Sequence, residues 1–238
     1  MSNIFLTAEW RKLIMANYAV DPAVLKPYLP YKTELDFWNN TCYVSLVGFM
    51  FTHVKIKGIS IPFHTRFEEV NLRFYVRYKD GQTWKRGAVF ISEIVPKPAI
   101  SVVANSLYGE KYRTMAMRHR WEQQADYQTI AYEWRQKRNW FSMEVKAAKQ
   151  AQEMAVGSEE EFILEHYWGY TQRGAAKAGE YGVEHPRWLV YPVVDYAIEA
   201  DFGSLYGPEF ANLDPKKPDS VFLAEGSPIR IRKGATIR

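Results

Sequence analysis

The sequence predicts a mainly β protein: one domain, residues 1–238, built on a curved antiparallel sheet or barrel with a few short helices on or beside it. Three observations carry the prediction. In residues 67–77, Val70, Leu72, Phe74 and Val76 alternate with Glu69, Asn71, Arg73, Tyr75 and Arg77, the period of two required of a strand with one packed face. Turn-forming pairs such as Asn39-Asn40 and Asp80-Gly81 punctuate runs rich in β-branched and aromatic residues. The 238 residues, 47% hydrophobic and 16% aromatic, suffice for one large core, and no repeat, low-complexity tract or linker divides them.

In chain order, residues 5–18 begin irregularly and end in a strand over 14–20. Asp21 is a helix N-cap and Pro22 suits the first helical position, so a short helix covers 22–28 and stops at Leu29-Pro30. Strands follow over 35–38 and 41–51, with an extended continuation over 53–57. The strand at 67–77 has a polar face of unusual reach, and this face is the expected floor of any site. Residues 87–95 form the next strand, with Ser92 and Glu93 interrupting an apolar run that Pro96 and Pro98 close. Ile100, Val103, Ala104 and Leu107 are spaced as one helix face, giving a helix over 99–111. Strands are expected at 115–121, 127–134 and 140–145, the last two a hairpin across the basic turn at Arg135–Arg138. Ser158 opens a short helix, 159–165, with a capping-box pattern. Extended segments at 166–171, 181–188 and 191–202, a helical turn at 208–213, and strands at 221–224 and 229–232 complete the chain. Residues 146–157 and 172–179 read as the most mobile stretches.

Composition narrows the function classes. The net charge is +4, with 31 Lys and Arg spread among 27 acids, and no basic stripe of the kind nucleic-acid binders carry. The single cysteine, Cys42, sits in an apolar run and reads as a buried thiol, so no intrachain disulfide forms. No leader pattern and no apolar run of about eighteen residues is present, so the expectation is a soluble cytoplasmic protein with no nucleic-acid or membrane partner. A homo-oligomer is left open. The five histidines lack metal-ligand spacing, and no glycine-rich phosphate loop or Gly-x-Ser-x-Gly elbow occurs. No metal and no cofactor are expected.

Several stretches together resemble a known family. They are Phe67-Glu68-Glu69-Val70-Asn71-Leu72-Arg73-Phe74-Tyr75-Val76, Val89-Phe90-Ile91-Ser92-Glu93-Ile94-Val95-Pro96 and Ala104-Asn105-Ser106-Leu107-Tyr108-Gly109-Glu110. With Tyr28-Leu29-Pro30, Glu165-His166-Tyr167-Trp168-Gly169-Tyr170 and Ala224-Glu225-Gly226-Ser227, they resemble the YqjF-like family, a conserved domain of unknown function. The resemblance implies the acetoacetate decarboxylase-like fold, an antiparallel β-barrel or cone with outer helices and an internal cavity. The decarboxylases of that superfamily form a Schiff base on a lysine of lowered pKa, within a Gly-Arg-Glu opening and a Pro-Lys-Lys close. The matching stretches here are Ala104-Asn105-Ser106 and Lys111-Tyr112-Arg113, so Tyr112 and Arg113 stand at the lysine positions and Lys111 falls one residue early. Glu69 resembles the acid of that superfamily's Tyr-x-Glu element.

Candidate chemistry follows from both readings. Glu69 and Arg73 share one strand face about 13 Å apart, at roughly 3.3 Å per residue. Arg73 has the geometry to clamp a carboxylate, and Glu69 or Glu93 to serve as acid or base once burial raises its pKa. A structural ion-pair network closing the barrel is the other reading of the same residues. Asn71 adds to the polar face of the 67–77 strand as a ligand-binding candidate, and Asn105, Tyr108, Glu110, Tyr112 and Arg113 lie around the helix-to-strand corner, with Tyr112 either a hydrogen-bond donor to a ligand or a packed phenol. His166, among Tyr167, Trp168 and Tyr170, is the most pocket-like histidine. The expected function is binding of a carboxylate or carbonyl metabolite, an anionic small molecule, by a binding protein or by a cofactor-free enzyme of lyase or hydrolase type lacking the Schiff-base lysine. The alternative is an interaction module whose polar interior is filled. A cavity of several hundred Å³ would favour the first.

Overall fold

A computed structural model describes residues 4–238, with Tyr108 described for its backbone only. β1 (Ile4–Ala19) leads into α1 (Pro22–Leu25) and a 3-10 turn (Lys26–Tyr28). Next come β2 (Thr33–Leu35), β3 (Tyr43–Ile56), β4 (Phe67–Asp80), β5 (Thr83–Val95), α2 (Pro98–Tyr108) and β6 (Tyr112–Thr114). β7 (Ala116–Gln123), β8 (Tyr127–Gln136), β9 (Asn139–Ala148) and β10 (Gln152–Glu153) precede α3 (Glu159–Leu164). β11 (Trp168–Gly174), β12 (Lys177–Glu184), β13 (Leu189–Tyr191) and β14 (Val193–Glu199) follow. The chain closes with α4 (Phe202–Tyr206), a 3-10 turn (Pro208–Phe210), β15 (Ser220–Arg232) and β16 (Ala235–Ile237).

The main sheet runs β15-β1-β3-β4-β5-β11-β12, and β12 pairs back onto β15 through Val183↔Ile231 and Glu184↔Arg230. The neighbouring strands therefore return to their starting point, and the sheet encloses an interior. A second sheet, β14-β9-β8-β7, packs on the outside. The sequence-predicted β class and barrel-like architecture match this arrangement.

Two apolar cores result. Val70, Leu72, Phe74 and Val76 of β4 face outward and pack with Ile130, Tyr132, Trp134 and Met143 of the second sheet. Leu13, Met15, Val47, Phe49, Phe67 and Tyr75 fill part of the barrel interior. β4 is thus buried on both faces, which explains why its inward face tolerates polar residues only where they find partners.

Local signals held where their chemistry is short-range. Asp21 accepts from Ala23 N at 2.8 Å, and Ser158 accepts from Glu161 N at 3.2 Å. Asn39 and Asn40 both adopt positive φ (47° and 61°) in the turn closed by Trp38 and Thr41. Boundaries differ where tertiary contacts extend an element. β1 starts at Ile4 rather than at 14, because it pairs with both β3 and β15 over its length. The two expected C-terminal strands are one, β15, carried past β1 by Gly226. There φ is +79°, and a Cβ would lie 2.0 Å from the Trp10 carbonyl oxygen. The stretch 172–179 is the tip of the β11–β12 hairpin. α2 ends at Tyr108 because Gly109 turns left-handed (φ 72°), which leaves Lys111 outside the helix. Among the described residues no helix is long and apolar enough to cross a membrane.

Candidate functional site

The site is assembled by register. Between β4 and β5 the pairing slips at Leu72/Arg73, so Leu72 faces Ser92 while Arg73 faces Phe90. This bulge at Ile91 reverses the side-chain parity of β5. Val89 and Ile91 join the outer core before it, and Ile94 joins it after, so Glu93 and Val95 turn inward. Asn71 then lies opposite Glu93, and β6, parallel to β5, sets Tyr112 opposite Glu93 on the other side. Glu110 enters from the corner after Gly109. Tyr181 arrives from β12, its ring folded over Gly169, where a Cβ would meet ring atoms at 2.3 to 2.6 Å.

Three carboxyl groups and two phenols therefore converge. Tyr112 Oη donates to Glu69 Oε2 at 2.9 Å, and Asn71 Nδ2 donates to Glu69 Oε1 at 2.9 Å. Tyr181 Oη donates to Glu110 Oε1 at 2.7 Å. Glu93 is 2% exposed, and its Oε2 has no hydrogen-bond partner among the described residues. Burial pushes Glu69 up to about 7, with its hydrogen bonds from Asn71 and Tyr112 pulling back down. Glu110 is likewise raised by burial to about 7. Burial first, and then the neighbouring Glu110 and Glu69, hold Glu93 well above the usual carboxylate range. Burial also raises both Tyr112 and Tyr181. Burial thus favours the neutral, hydrogen-bond-donating form of all three carboxyl groups, Glu93 most strongly.

The interior is not filled. A cavity of about 180 Å³ lies over the cluster, smaller than the several hundred Å³ named above as favouring a ligand site, but with the polar groups of the cluster converging on it. Its floor is Glu93, Glu110, Tyr112 and Tyr181, and its walls are apolar, including Phe51, Val54, Phe67 and Ile100. Among the described residues that line it there is no lysine or arginine; the one histidine is His64, whose Nδ1 contacts Pro62 O at 2.8 Å. Among the described residues no group of three or more His, Cys, Asp or Glu is arranged to hold a metal ion.

The expected site residues divide. Glu93 and Tyr112 line the cavity, while Glu69 and Asn71 lie directly beneath, tied to Tyr112. Asn105 does not face a ligand: it clasps the Tyr112 backbone, accepting from N at 2.7 Å and donating to O at 3.0 Å, which fixes β6 against α2. Arg113 alternates to the opposite face of β6 and donates to Leu205 O at 2.6 Å. The side chain of Tyr108 lies outside the described residues. Lys111 is exposed, its ammonium 5.0 Å from the Tyr28 ring centroid.

Arg73 and His166 belong to a second polar group farther along the barrel. Arg73 Nε donates to Tyr75 Oη at 3.3 Å, and Tyr75 Oη meets Ser45 Oγ at 2.7 Å. His166 packs on the Tyr75 ring at 4.6 Å and lies 3.4 Å from Asp36 Oδ2, which accepts from Arg86 at 2.6 Å. Burial lowers His166 to about 4, so its imidazole is neutral. The separation follows from strand geometry: four residues along β4 carry Arg73 to Tyr75 rather than into a hydrogen bond with the carboxyl cluster, although its charge still acts to lower the Glu69 pKa. Tyr181 was missed in the sequence because only the β11–β12 register brings it in. Glu110 was visible beside the corner, but its inward turn depends on Gly109.

The comparisons with known proteins agree with this architecture. The chain is 34% identical over 84 residues to the uncharacterized protein YqjF of Bacillus subtilis (strain 168), a match spanning 35% of this chain and 33% of that protein. Acetoacetate decarboxylase from Legionella pneumophila superposes with a TM-score of 0.68 at 12% identity, over 100% of this chain and 90% of that one. The enduracididine biosynthesis enzyme MppR does so with a TM-score of 0.70 at 11% identity, over 100% and 89%. An acetoacetate decarboxylase-like enzyme from Sphingomonas wittichii RW1 gives 0.67 at 11%, over 100% and 94%. At these identities the likeness shows the fold, which is acetoacetate decarboxylase-like. The family model DUF2071, described as an uncharacterized conserved protein, matches residues 7–228, and the chain belongs to that family.

Proposed function

We propose that the cavity binds a small carbonyl compound and that the protein is a cofactor-free enzyme moving a proton at the carbon beside that carbonyl, without an imine intermediate. The observation that carries this reading is Glu93: buried, held well above the usual carboxylate range by burial, with an Oε2 that has no hydrogen-bond partner among the described residues, and lining the floor of a cavity whose walls are apolar. A buried carboxyl whose neutral form is favoured is a hydrogen-bond donor, and a carbonyl oxygen is an acceptor suited to it. Glu110, near half-ionised on the same floor, is the base. Glu93 gives its proton to the carbonyl oxygen while Glu110 takes the α-proton, giving the enol; the reverse steps return the ketone. Glu69, through Tyr112, is a positioning residue.

Two further facts support the reading. No lysine is among the described residues lining the cavity, so the covalent route of the superfamily lacks its nucleophile there. One structural neighbour, MppR, is known complexed with pyruvate, and another is an acetoacetate decarboxylase; both handle carbonyl compounds. The reading replaces the anionic ligand expected from sequence with a neutral one, because Arg73 is not among the residues lining the cavity and no other arginine or lysine is among the described ones that do.

The test is solvent-deuterium exchange, followed by proton NMR, of the α-protons of 2-butanone and other small ketones. Exchange should be catalysed by the wild-type protein and fall roughly 10²- to 10⁴-fold in Glu93→Gln and Glu110→Gln, the usual contribution of a general acid or base. Borohydride trapping of the same mixtures should give no lysine adduct. A stoichiometric adduct, at Lys111 or elsewhere, or exchange indifferent to both substitutions, would overturn the proposal.

A further inference from the structure

The walls of the cavity say more about the ligand than its floor does. Phe51, Val54 and Phe67 form the deep wall, and Leu6, Ile56 and Ile231 continue it outward. The throat then passes between the loop carrying Ile61 and the α2 face carrying Ile100, Val103 and Ala104. Ile61 and Val103 line the cavity and are also exposed at the surface, so the throat opens there. Beyond it the apolar character does not stop. The same loop exposes Ile59 and Phe63, and the same helix exposes Val102 and Leu107; Phe63 is 87% exposed. A throat serving only a three- or four-carbon polar metabolite has no need of an apolar wall that runs from floor to rim. Large exposed apolar side chains on the two elements that frame a cavity mouth cost solubility unless something apolar uses them.

We infer that the ligand is a carbonyl compound bearing an unbranched or aryl apolar chain, with the carbonyl on the carboxyl floor and the chain in the throat between α2 and the 57–66 loop. This rests on the proposed function above and adds the substrate class. The head carries no negative charge, because the buried floor already disfavours ionisation of its own carboxyl groups and no lysine or arginine among the described lining residues would balance an added charge. The tail is uncharged for the same distance as the wall is apolar.

The experiment is a homologous series of methyl ketones from 2-butanone to 2-octanone, titrated onto the wild-type protein by calorimetry, with α-proton exchange measured on each. Affinity should tighten roughly fourfold per methylene until the throat is filled, the gain of moving one CH₂ out of water. 5-Oxohexanoate, which ends the chain in a carboxylate, should bind more weakly than 2-hexanone, which has the same chain length. In Val103→Asp, with folding checked by circular dichroism, the gain per methylene should fall below twofold. Should that variant fail to fold, the comparison of 5-oxohexanoate with 2-hexanone on the wild-type protein still decides the point. Exchange of 2-butanone with no dependence on chain length would overturn this inference and leave the proposed function standing. Absence of binding and exchange throughout the series would overturn both.

Discussion

Tyr112 donates its phenolic hydrogen to Glu69 Oε2 at 2.9 Å, joining β6 to β4 across the interior of the barrel. The phenol stands where the resemblance to the decarboxylases places a lysine, and it does structural and electrostatic work there. It supplies one of the two hydrogen bonds that restrain Glu69 from rising further. Tyr112→Phe should raise the Glu69 pKa above about 7 and cost about 1–3 kcal/mol, the usual loss when a buried acceptor loses its donor. Carbon-13 NMR titration of labelled glutamate and urea denaturation measure the two effects.

Stability should fall as pH rises from about 4.5 to about 7. Glu69 and Glu110 have folded pKa values raised to about 7 from an ordinary 4.5. Between these values the unfolded chain has released protons that the folded chain still holds. Each group therefore contributes stability that is full below the unfolded value and lost on passing through the folded one, at about 1.4 kcal/mol per pH unit at most. Glu69→Gln should flatten this slope by up to one group's share, and the stability difference between variant and wild type should grow in the variant's favour from pH 5 to pH 8. A constant difference across that range would contradict the raised pKa.

His166 acts in the opposite sense. Its folded pKa, lowered by burial to about 4 from 6.5, means that the unfolded chain takes up a proton below pH 6.5 that the folded chain refuses until about pH 4. Its contribution is therefore lost as pH falls through that window. His166→Gln should remove this acid-side loss, seen as a smaller drop in melting temperature between pH 6.5 and pH 4 than in the wild type.

Gly169→Ala should disturb the site from a distance. The added methyl would fall 2.3 to 2.6 Å from Tyr181 ring atoms, so Tyr181 must move and its 2.7 Å hydrogen bond to Glu110 must lengthen or break. Overpacking of this kind costs about 1–3 kcal/mol. Denaturant unfolding gives the cost, and loss of α-proton exchange in the folded variant gives the effect on the site.

Arg113→Ala should destabilise without touching the cavity. The guanidinium holds the Leu205 carbonyl at 2.6 Å on the face of β6 turned away from Glu93, a charged hydrogen bond worth about 1.5–3 kcal/mol. Ketone affinity at a temperature where the variant is folded should match the wild type.

The sequence by itself determined the elements whose causes are local. The alternation in 67–77 marks β4 because side-chain direction along a strand has a period of two whatever lies around it. Asp21, Ser158 and the Asn39-Asn40 pair carry their turn and cap chemistry within four residues. The polar inward face of β4, and with it Glu69 and Asn71, could be read on the same grounds, as could Glu93 as the acid that interrupts β5. The tertiary structure decided which of these groups meet. A bulge at Ile91 turns Glu93 inward, a left-handed Gly109 releases Tyr112 and Glu110 from the helix, and the β11–β12 register delivers Tyr181. Arg73, four residues along the same face, was legible as a functional type, yet the strand carries it to Tyr75 and the His166 group instead. Register across non-adjacent strands is set by the closure of the whole sheet, and no window of the chain contains the information that fixes it.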